Sequence, residues 1–581
     1  MKNKKVFYIR HMLYSALFPS FISAIALAFA DIADAVVVGN RIGENGLAAI
    51  GIVAPIYMIY NILGYGLSVG GEVTHARLAA SGKKEAAIRH FNKVLWTGIF
   101  WGVVLAAAGL LLNGQILFLL GAKGEDAVLY HYCRQYYLPL IAAAPLFISN
   151  YVLYDLIRSD DDPFLAGASF SIGCVFDLVL NILFVLGLGW GVSGSIAATI
   201  AAQIVTLLVG LLHFIRKKGI LRITKPTVDI PGCLPVFAIG ASSSVRYLFQ
   251  FLFLTVANNL LIRIEGDGAL YVAVFDVVMN VSYVAYSLFE GAGAAIQPLS
   301  SALYEEKDRP GLSYTLRSGI GWGMGCGSAV TLLIGIFADP TARLFGIAEP
   351  VSLQVAALAI RIFCCSVPLA GFILIMISYY LSVGWEKLSA FLTFIRSFAV
   401  LLPLTFLLGT FASEWFWLIF PITEIVSLAA AFIMIRVLRK GNVLSKVPLV
   451  SYTLENNNHE IEGLLRAAER FCEENGASVK QANLLQMAVE ELCMATINKA
   501  FTGDPREYIQ VTLIAGEDHK FTLHIRNRAE RFDPFDMKMG RITHEEEEGF
   551  LDSMGVLVIK KKADKFYYRR SEIFNVITVV I

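Results

Sequence analysis

About twelve stretches of this chain are each long and apolar enough to cross a lipid bilayer as a helix. A spanning helix needs about 20 mostly apolar residues, and short polar turns separate the stretches. Hydrophobic residues make up 56% of the chain and charged residues 16%, whereas a soluble protein has about a quarter charged. The pattern predicts a polytopic, all-α membrane protein with spans centred near Ile25, Tyr57, Val104, Ala143, Val175, Ile204, Phe251, Tyr283, Leu332, Leu369, Leu401 and Ala429.

The carboxyl-terminal segment differs from the rest of the chain in its density of charge. About 55 charged residues lie in residues 1–444, and about 40 crowd into residues 445–581. We therefore predict a compact soluble domain over 445–581, after the membrane part. The formal net charge of +1 excludes the strongly basic surface of a nucleic-acid-binding domain.

Lysine and arginine mark alternate connections between the spans. They cluster before the first span and after the second, fourth, sixth, eighth and twelfth, as at Lys4, Arg89, Arg216, Arg309 and Arg439. Because basic loops remain in the cytoplasm, both termini and the soluble domain are expected there. The prediction is a multi-pass protein of the cell membrane, surrounded by membrane lipid.

The membrane part contains an internal repeat. Residues 41–46 (RIGENG) precede an apolar helix in the first half, and residues 263–268 (RIEGDG) do so in the second. Six spans per half indicate two parallel repeats, over residues 1–220 and 221–444. Such repeats enclose a binding site near the midplane, which is typical of a carrier and less often of a channel.

Few acidic residues lie within the predicted spans, and each costs at least about 2.5–3.5 kcal/mol to insert. The candidates for a functional site are Asp34 in the first span, Asp177 with Asn181 in the fifth, and Glu290 in the eighth. Asp177 and Asn181 are four residues apart and share a helix face. Their oxygens suit Na⁺, and a buried carboxylate equally suits a proton. Polar contacts between helices are the alternative role.

Several segments of residues 1–444 resemble transporters of the MATE (multidrug and toxic compound extrusion) family at matching spacing. They are 29–34 (FADIAD), 46–49 (GLAA), 65–70 (YGLSVG) and 189–199 (GWGVSGSIAAT), with Arg396 in the eleventh span. The resemblance implies export of organic compounds, often cationic, in exchange for H⁺ or Na⁺.

The resemblance also implies which residues serve ion coupling. Asp34 falls on the first-helix acid that family members use. The family commonly has Asn and then Asp four residues later in the fifth helix, whereas this chain has Asp177 and then Asn181. These two residues and Thr199 are expected to face one cavity, with Na⁺ held at Asp34 and Asp177 if Na⁺ is the coupling ion.

The segment after residue 456 has the pattern of a two-layer α/β sandwich. Amphipathic helices are predicted over 461–475, 479–501 and 554–563, and alternating strands over 508–515, 520–527, 565–570 and 575–580.

Three segments of this domain resemble the GHKL-type ATPase fold of anti-sigma factor kinases and sensor histidine kinases. They are 488–492 (AVEEL), 531–534 (RFDP) and 554–564 (MGVLVIKKKAD). Glu491 matches the catalytic acid and Gly555 a glycine of the phosphate region. However, Ala495 replaces the Mg²⁺-binding Asn, Asn527 the adenine-binding Asp, and Ala529 the next glycine. Without the metal ligand phosphoryl transfer is disfavoured, so we expect a non-catalytic module in which ATP binding is also disfavoured.

The chain is therefore expected to be a secondary active exporter, not an enzyme, with a regulatory cytoplasmic domain. It has no GxxxxGK[ST] motif, so an ATP-driven pump of that type is excluded. One alternative is a membrane sensor whose tail binds a regulatory protein or a nucleotide. Another is a flippase for lipid-linked precursors, which would need more deep basic residues than Arg246, Arg361 and Arg396.

Overall fold

The computed structural model contains a helical part and a smaller α/β domain. It describes residues 2–80, 84–122, 126–160, 162–216, 219–264, 267–439, 448–455, 459–501, 508–516, 520–529, 532–536, 547–570 and 574–581.

The helical part consists of two halves, each a run of helices. The first half contains α1 (Lys2–Ile42), α2 (Glu44–Val53), α3 (Pro55–Ala80), α4 (Lys84–Leu111), α5 (Asn113–Leu120), α6 (Ala127–Ala142), α7 (Ala144–Ser159), α8 (Pro163–Asn181) and α9 (Gly191–Arg216). The second half contains α10 (Ile230–Leu261), α11 (Gly268–Glu305), α12 (Arg309–Ile336), α13 (Ala338–Leu344), α14 (Pro350–Ser382), α15 (Glu386–Phe394), α16 (Leu401–Phe411) and α17 (Ile419–Arg439).

The helical part confirms the predicted polytopic architecture. Among the described residues, nine helices are long and apolar enough to cross a membrane, and up to eleven if each of two bent pairs counts as one span. The pair α6 and α7 bends by 51°. Pro145 lies in the first turn of α7, where proline is tolerated. The first of the twelve predicted spans lies on α1, several of whose side chains are outside the described set.

Each half contains one π-helical segment in the part of the chain that is described. Ile182–Gly187 continues α8, and Ile395–Val400 joins α15 to α16. Such segments are rare and frequently occur at functional sites. Here they adjoin Asn181 and contain Arg396, two of the polar residues that the sequence marks.

The halves contact each other most extensively where α3 packs on α10 and where α1 packs on α11. Glycines permit the close approach of α3 and α10. A Cβ atom at Gly240 would overlap the Gly66 carbonyl, and one at Gly70 would overlap the Val236 carbonyl. Small residues at a helix interface allow the two backbones to approach this closely in a membrane.

The α/β domain is a five-stranded antiparallel sheet with helices on one face. Its elements are β1 (Leu449–Glu455), α18 (His459–Glu474), α19 (Val479–Ala500), β2 (Tyr508–Ala515), β3 (Phe521–Asn527), α20 (Glu547–Lys562), β4 (Lys565–Arg570) and β5 (Asn575–Val580). The strand order is β1-β2-β3-β5-β4. The two-layer sandwich is confirmed. The sequence analysis overlooked β1 and began the last helix seven residues too late, because both lie beside charged or irregular sequence.

The sheet has an apolar face and a polar face, as the alternation of β-strand side chains requires. Ile509, Val511 and Leu513 belong to the domain's own hydrophobic core. The opposite face carries residues that are polar and yet buried, which we call the docking face: Gln510, Thr512, His524, Arg526 and Thr578.

The docking face lies against the helical part at the end where α1 begins and α11 stops. The Arg526 side chain is fully buried, and its Nη1 lies 3.4 Å from Oε1 of Glu306, which directly follows α11. Thr512 Oγ1 donates to the second Glu306 oxygen at 3.2 Å. A cation at the carboxyl end of a helix is also favoured by the helix dipole.

The first half of the helical part contacts the same sheet through α1. The Tyr8 hydroxyl donates to the Arg526 carbonyl at 3.2 Å. The Arg526 guanidinium lies 5.9 Å from the centre of the Tyr8 ring and 5.8 Å from that of Phe574. Phe574 and Val576 of the domain join the buried apolar cluster of the helical part. The docking face thus contacts one helix from each half.

We predict that acid destabilises this arrangement through His524. Burial, and secondarily the charge of Arg526, lowers the pKa of the His524 imidazole to about 4 from its usual value near 6.5. Between these values the unfolded chain binds a proton that the folded chain does not, so stability falls as pH decreases from 6.5 to 4, by on the order of 3 kcal/mol. The measurement is the unfolding midpoint of the domain in the full chain against pH.

The unfolding midpoint of the His524→Gln variant should depend less on pH. Glutamine can keep the hydrogen bond that His524 forms with the Thr578 hydroxyl at 3.0 Å, but it does not titrate. His131→Gln is the control, because His131 is exposed on α6. Equal pH profiles for wild type and His524→Gln would contradict the prediction.

Candidate functional site

Three of the sequence-predicted residues form a polar cluster between α8 and α9. Asn181 Nδ2 donates to Asp177 Oδ1 at 3.2 Å. The Thr199 hydroxyl also hydrogen-bonds Asp177 and lies 3.2 Å from the Ser195 carbonyl oxygen. Asn181 and Thr199 are buried, and Asp177 is half-buried. One carboxylate with neighbouring amide and hydroxyl oxygens is a donor set for a proton or a small monovalent cation.

Asp34 lies on α1, but its side chain is outside the described residues, as is that of Asp31. The backbone of α1 packs against α8, α9 and the π-helical segment between them. These are the elements that carry Asp177, Asn181 and Thr199. The membership of Asp34 in this cluster therefore stays a prediction, supported by the neighbouring helices.

The second half contains a buried ion pair that the sequence analysis did not anticipate. Arg396 Nε donates to both Glu424 oxygens, at 2.8 and 3.0 Å. The guanidinium also lies over the Tyr286 ring, 5.2 Å from its centre. The sequence analysis did not name Glu424 among the acids within the spans. Glu424 could have been noticed as a single acid in an apolar span. That span faces the span of Arg396.

Glu290 lies one helical turn after Tyr286 on α11. Its side chain is exposed, with the guanidinium groups of Arg246 and Arg396 within electrostatic range. Arg246 Nη2 donates to the Tyr247 hydroxyl at 2.7 Å. Glu290 is thus a carboxylate that retains accessible surface within a mostly apolar region.

Aromatic rings connect the two halves near Arg246. Tyr247 of α10 stacks on Tyr65 of α3, with ring centres 5.2 Å apart and planes 7° apart. Tyr151 lies 5.0 Å from Tyr65, and its hydroxyl donates to Asn61 at 2.5 Å. Stacked tyrosines with polar tips offer the flat apolar surface and the partial negative charge that organic cations bind.

A second polar cluster lies where α7 and α9 end, and the sequence analysis did not single it out. His213 is fully buried, with its ring nitrogens 3.0 Å from Asp160 and 3.2 Å from Asp162. Burial acts to raise the pKa of Asp160, but hydrogen bonds from His213 and two backbone N–H groups, with the His75 ring 3.6 Å away, hold it well below its usual range. In the sequence, this polar cluster could have been found from the acidic run of residues 160–162. The cluster fixes the ends of these helices.

The residues at the ATPase-like positions of the α/β domain form contacts of their own. The Asn527 amide oxygen accepts from the Ala529 N–H at 3.1 Å and from Asn575 Nδ2 at 2.9 Å. Ala495 and Ala529 are buried, and neither side chain can bind a metal. Glu491 packs directly on Gly555, where a Cβ atom would overlap its carboxylate. The sequence has an acidic run at residues 545–548 (EEEE), where a phosphate would lie in the ATPase-like fold, and its residues 545 and 546 lie outside the described residues.

No group of three or more His, Cys, Asp or Glu side chains within the described ranges is arranged to hold a metal ion.

Comparison with known proteins agrees with this architecture. The profile of the MatE family matches residues 19–183 and 243–407, so it covers more than half of the chain in two repeats. The profile described as "Histidine kinase-like ATPase domain" matches residues 454–581.

Curated relatives and solved structures are distant in sequence. The probable multidrug resistance protein NorM of Photorhabdus laumondii is 23% identical over 338 residues, which are 56% of this chain and 72% of that protein. The multidrug export protein MepA of Staphylococcus saprophyticus is 22% identical over 259 residues, 44% of this chain and 55% of that protein.

The structure titled as the inward-facing conformation of a multidrug resistance MATE family transporter of the MOP superfamily has a TM-score of 0.64. It is 24% identical, and the alignment covers 71% of this chain and 96% of that one, which establishes a shared fold. The chain therefore belongs to the MatE family of membrane transporters, with a histidine kinase-like ATPase domain at its carboxyl end.

Proposed function

We propose that the protein exports organic compounds, often cationic, in exchange for H⁺ or Na⁺. The observation that carries the proposal is the Asp177, Asn181 and Thr199 cluster beside α1, the helix of Asp34. A carboxylate in an apolar half can alternate between a bound cation or proton and an empty state, and this alternation couples an ion gradient to movement of the halves. The names of the relatives, multidrug resistance and multidrug export, support the substrate class.

The region between the halves favours an organic cation over a strongly anionic substrate. Of the three arginines within the predicted spans, Arg396 is paired with Glu424 and Arg361 with Asp339, while Arg246 has Glu290 within electrostatic range. These pairs leave little net positive charge for a lipid-linked phosphate. The Tyr65 and Tyr247 stack and the accessible Glu290 carboxylate are suited to a flat cation. This argues for the exporter over the flippase.

We predict that Asp177→Asn reduces gradient-driven uptake of a fluorescent organic cation into proteoliposomes by at least about tenfold. The amide keeps the shape of the side chain but can neither carry a proton nor balance a cation. Asp34→Asn should reduce uptake to a similar extent if Asp34 and Asp177 bind the same ion. Uptake under separate H⁺ and Na⁺ gradients identifies the ion.

Glu85→Gln is the control, because Glu85 is an exposed carboxylate in the first turn of α4, paired with Arg89. It should transport at the wild-type rate, and all variants should share the wild-type unfolding midpoint. Full transport by a folded Asp177→Asn protein would remove Asp177 from ion coupling.

We further propose that the α/β domain regulates transport by holding the two halves together. Its docking face contacts Tyr8 of α1 and Glu306 after α11, which belong to different halves. Carriers of this architecture work largely by rocking one half against the other. A domain bound to both halves at one end opposes opening at that end, so the docked state slows the transport cycle. Both termini are cytoplasmic in this proposal, so the slowed step is opening toward the cytoplasm.

The Arg526→Gln variant tests this role. Removing one partner of a buried ion pair leaves the other charge unpaired and costs about 3–5 kcal/mol, so the domain should detach. Transport should then rise by at least about fivefold, and protease should cut the connection between α17 and β1 more readily.

Arg569→Gln is the control, because Arg569 pairs with Glu305 at 3.3 Å but is 53% exposed. Exposed pairs contribute about 1 kcal/mol or less, so docking should persist. Detachment of the domain in Arg526→Gln without any gain in transport would refute the inhibitory role.

We also propose that the domain does not hydrolyse ATP. Asn527 is held by Ala529 and Asn575, and Ala495 offers no oxygen to Mg²⁺. We expect no Mg²⁺-dependent hydrolysis above background by the purified full chain, and identical behaviour from Glu491→Gln. Hydrolysis by wild type that Glu491→Gln abolishes would show that the domain is an active enzyme.

A further inference from the structure

A cavity of about 300 Å³ lies within the second half, lined by residues of α12, α14, α15 and α17. Its walls are hydrocarbon and aromatic side chains such as Ile320, Met376, Leu392 and Phe432, and its one charged lining residue is Arg436. It belongs to one half, away from the Tyr65 and Tyr247 stack between the halves. The proposed transport route does not use it.

The shape of the cavity follows α17 for two turns. Leu428, Ala431, Phe432, Ile435 and Arg436 line it and share one helix face. At a rise of 1.5 Å per residue they extend over about 12 Å, ending three residues before α17 stops. Phe432 is 54% exposed, so the cavity reaches the lipid-facing surface of the helix. It is a slot that runs inward from the membrane edge on the side of the α/β domain.

Arg436 differs in its ion pairing from three other arginines of the helical part. Arg158 has Glu72, Arg361 has Asp339, and Arg396 has Glu424. Arg436 is exposed at the mouth of the cavity and pairs with no carboxylate that the structure describes. A guanidinium at the edge of hydrocarbon binds a phosphate group through parallel hydrogen bonds, which satisfy its fork of donors.

The sequence around Arg436 is positively charged without compensation. Residues 425–454 contain Arg436, Arg439, Lys440 and Lys446 and no acidic residue. Basic clusters directly after a spanning helix attract anionic lipid headgroups. The positive charge suits an anionic headgroup and the apolar slot suits an acyl chain, so both features indicate an anionic lipid.

We propose that this cavity binds an anionic phospholipid from the leaflet on the side of the α/β domain, with one acyl chain in the slot and the phosphate at Arg436. An acyl chain gains little hydrophobic free energy by moving from bilayer to cavity. It does gain dispersion contacts that an empty slot lacks. The headgroup pair supplies the preference for an anionic lipid. Bound there, the lipid holds α17 at the connection to β1.

The test is native mass spectrometry of the full chain in detergent, titrated with phosphatidylglycerol or with phosphatidylcholine of the same acyl chains. Wild type should retain phosphatidylglycerol about tenfold more strongly, the effect of one charge-assisted contact. Arg436→Gln should lose this preference while still binding lipid. Ala431→Phe, which fills the slot, should lose both lipids.

Two substitutions serve as matched controls. Arg343→Gln removes an exposed charge on α13, and Ala429→Phe adds the same bulk on an exposed face of α17. Both should bind lipid as wild type does. Equal retention of the two lipids by wild type, or an unchanged preference in Arg436→Gln, would overturn the proposal. So would displacement of the lipid by the fluorescent organic cation, which would make the slot part of the transport route.

Discussion

A charge is stable inside the helical part only where another charged or polar group meets it, because hydrocarbon supplies no water. Arg396 meets both oxygens of Glu424. Asp276 on α11 accepts a hydrogen bond from Asn280 at 3.1 Å. Asp177 has an amide and a hydroxyl beside it. The described contacts of Asp177 are with polar uncharged groups, and in the proposed function its carboxylate binds either a proton or a cation. Under that proposal, the Arg396–Glu424 pair is structural and Asp177 is the group that responds to an ion gradient.

The same constraint governs the junction with the α/β domain. In an isolated sheet, Gln510, Thr512, His524 and Arg526 would face water, whereas here all four are buried. Glu306 of the helical part provides a partner for Thr512 and Arg526, whereas Gln510 and His524 find theirs within the sheet, at Arg526 and Thr578. The sheet face therefore has a second role in addition to folding the domain, which is attachment to both halves of the transporter. In the proposed function, this attachment is what makes the domain a regulator.

Much of the fold could be predicted from the sequence, because hydropathy and strand alternation are local patterns. The helical membrane part, the sandwich and four of its five strands follow from such patterns alone. Contacts distant in the chain do not. The role of Glu424 could be assigned only after the structure showed its partner Arg396. The Arg526–Glu306 pair joins residues from separate domains, so no local pattern predicts it. The swap of Asp177 and Asn181 relative to the family pattern leaves both groups in one cluster, since positions four apart share a helix face.

The most direct test of the account is uptake of a fluorescent organic cation into proteoliposomes containing the full chain, under an imposed H⁺ or Na⁺ gradient, with and without ATP on the side of the α/β domain. The account predicts uptake that requires one of the two gradients and is indifferent to ATP. Uptake that depends on ATP would contradict the reading of the domain as a non-catalytic regulator. No uptake under any gradient would contradict the proposed exporter and favour a membrane sensor whose tail binds a partner.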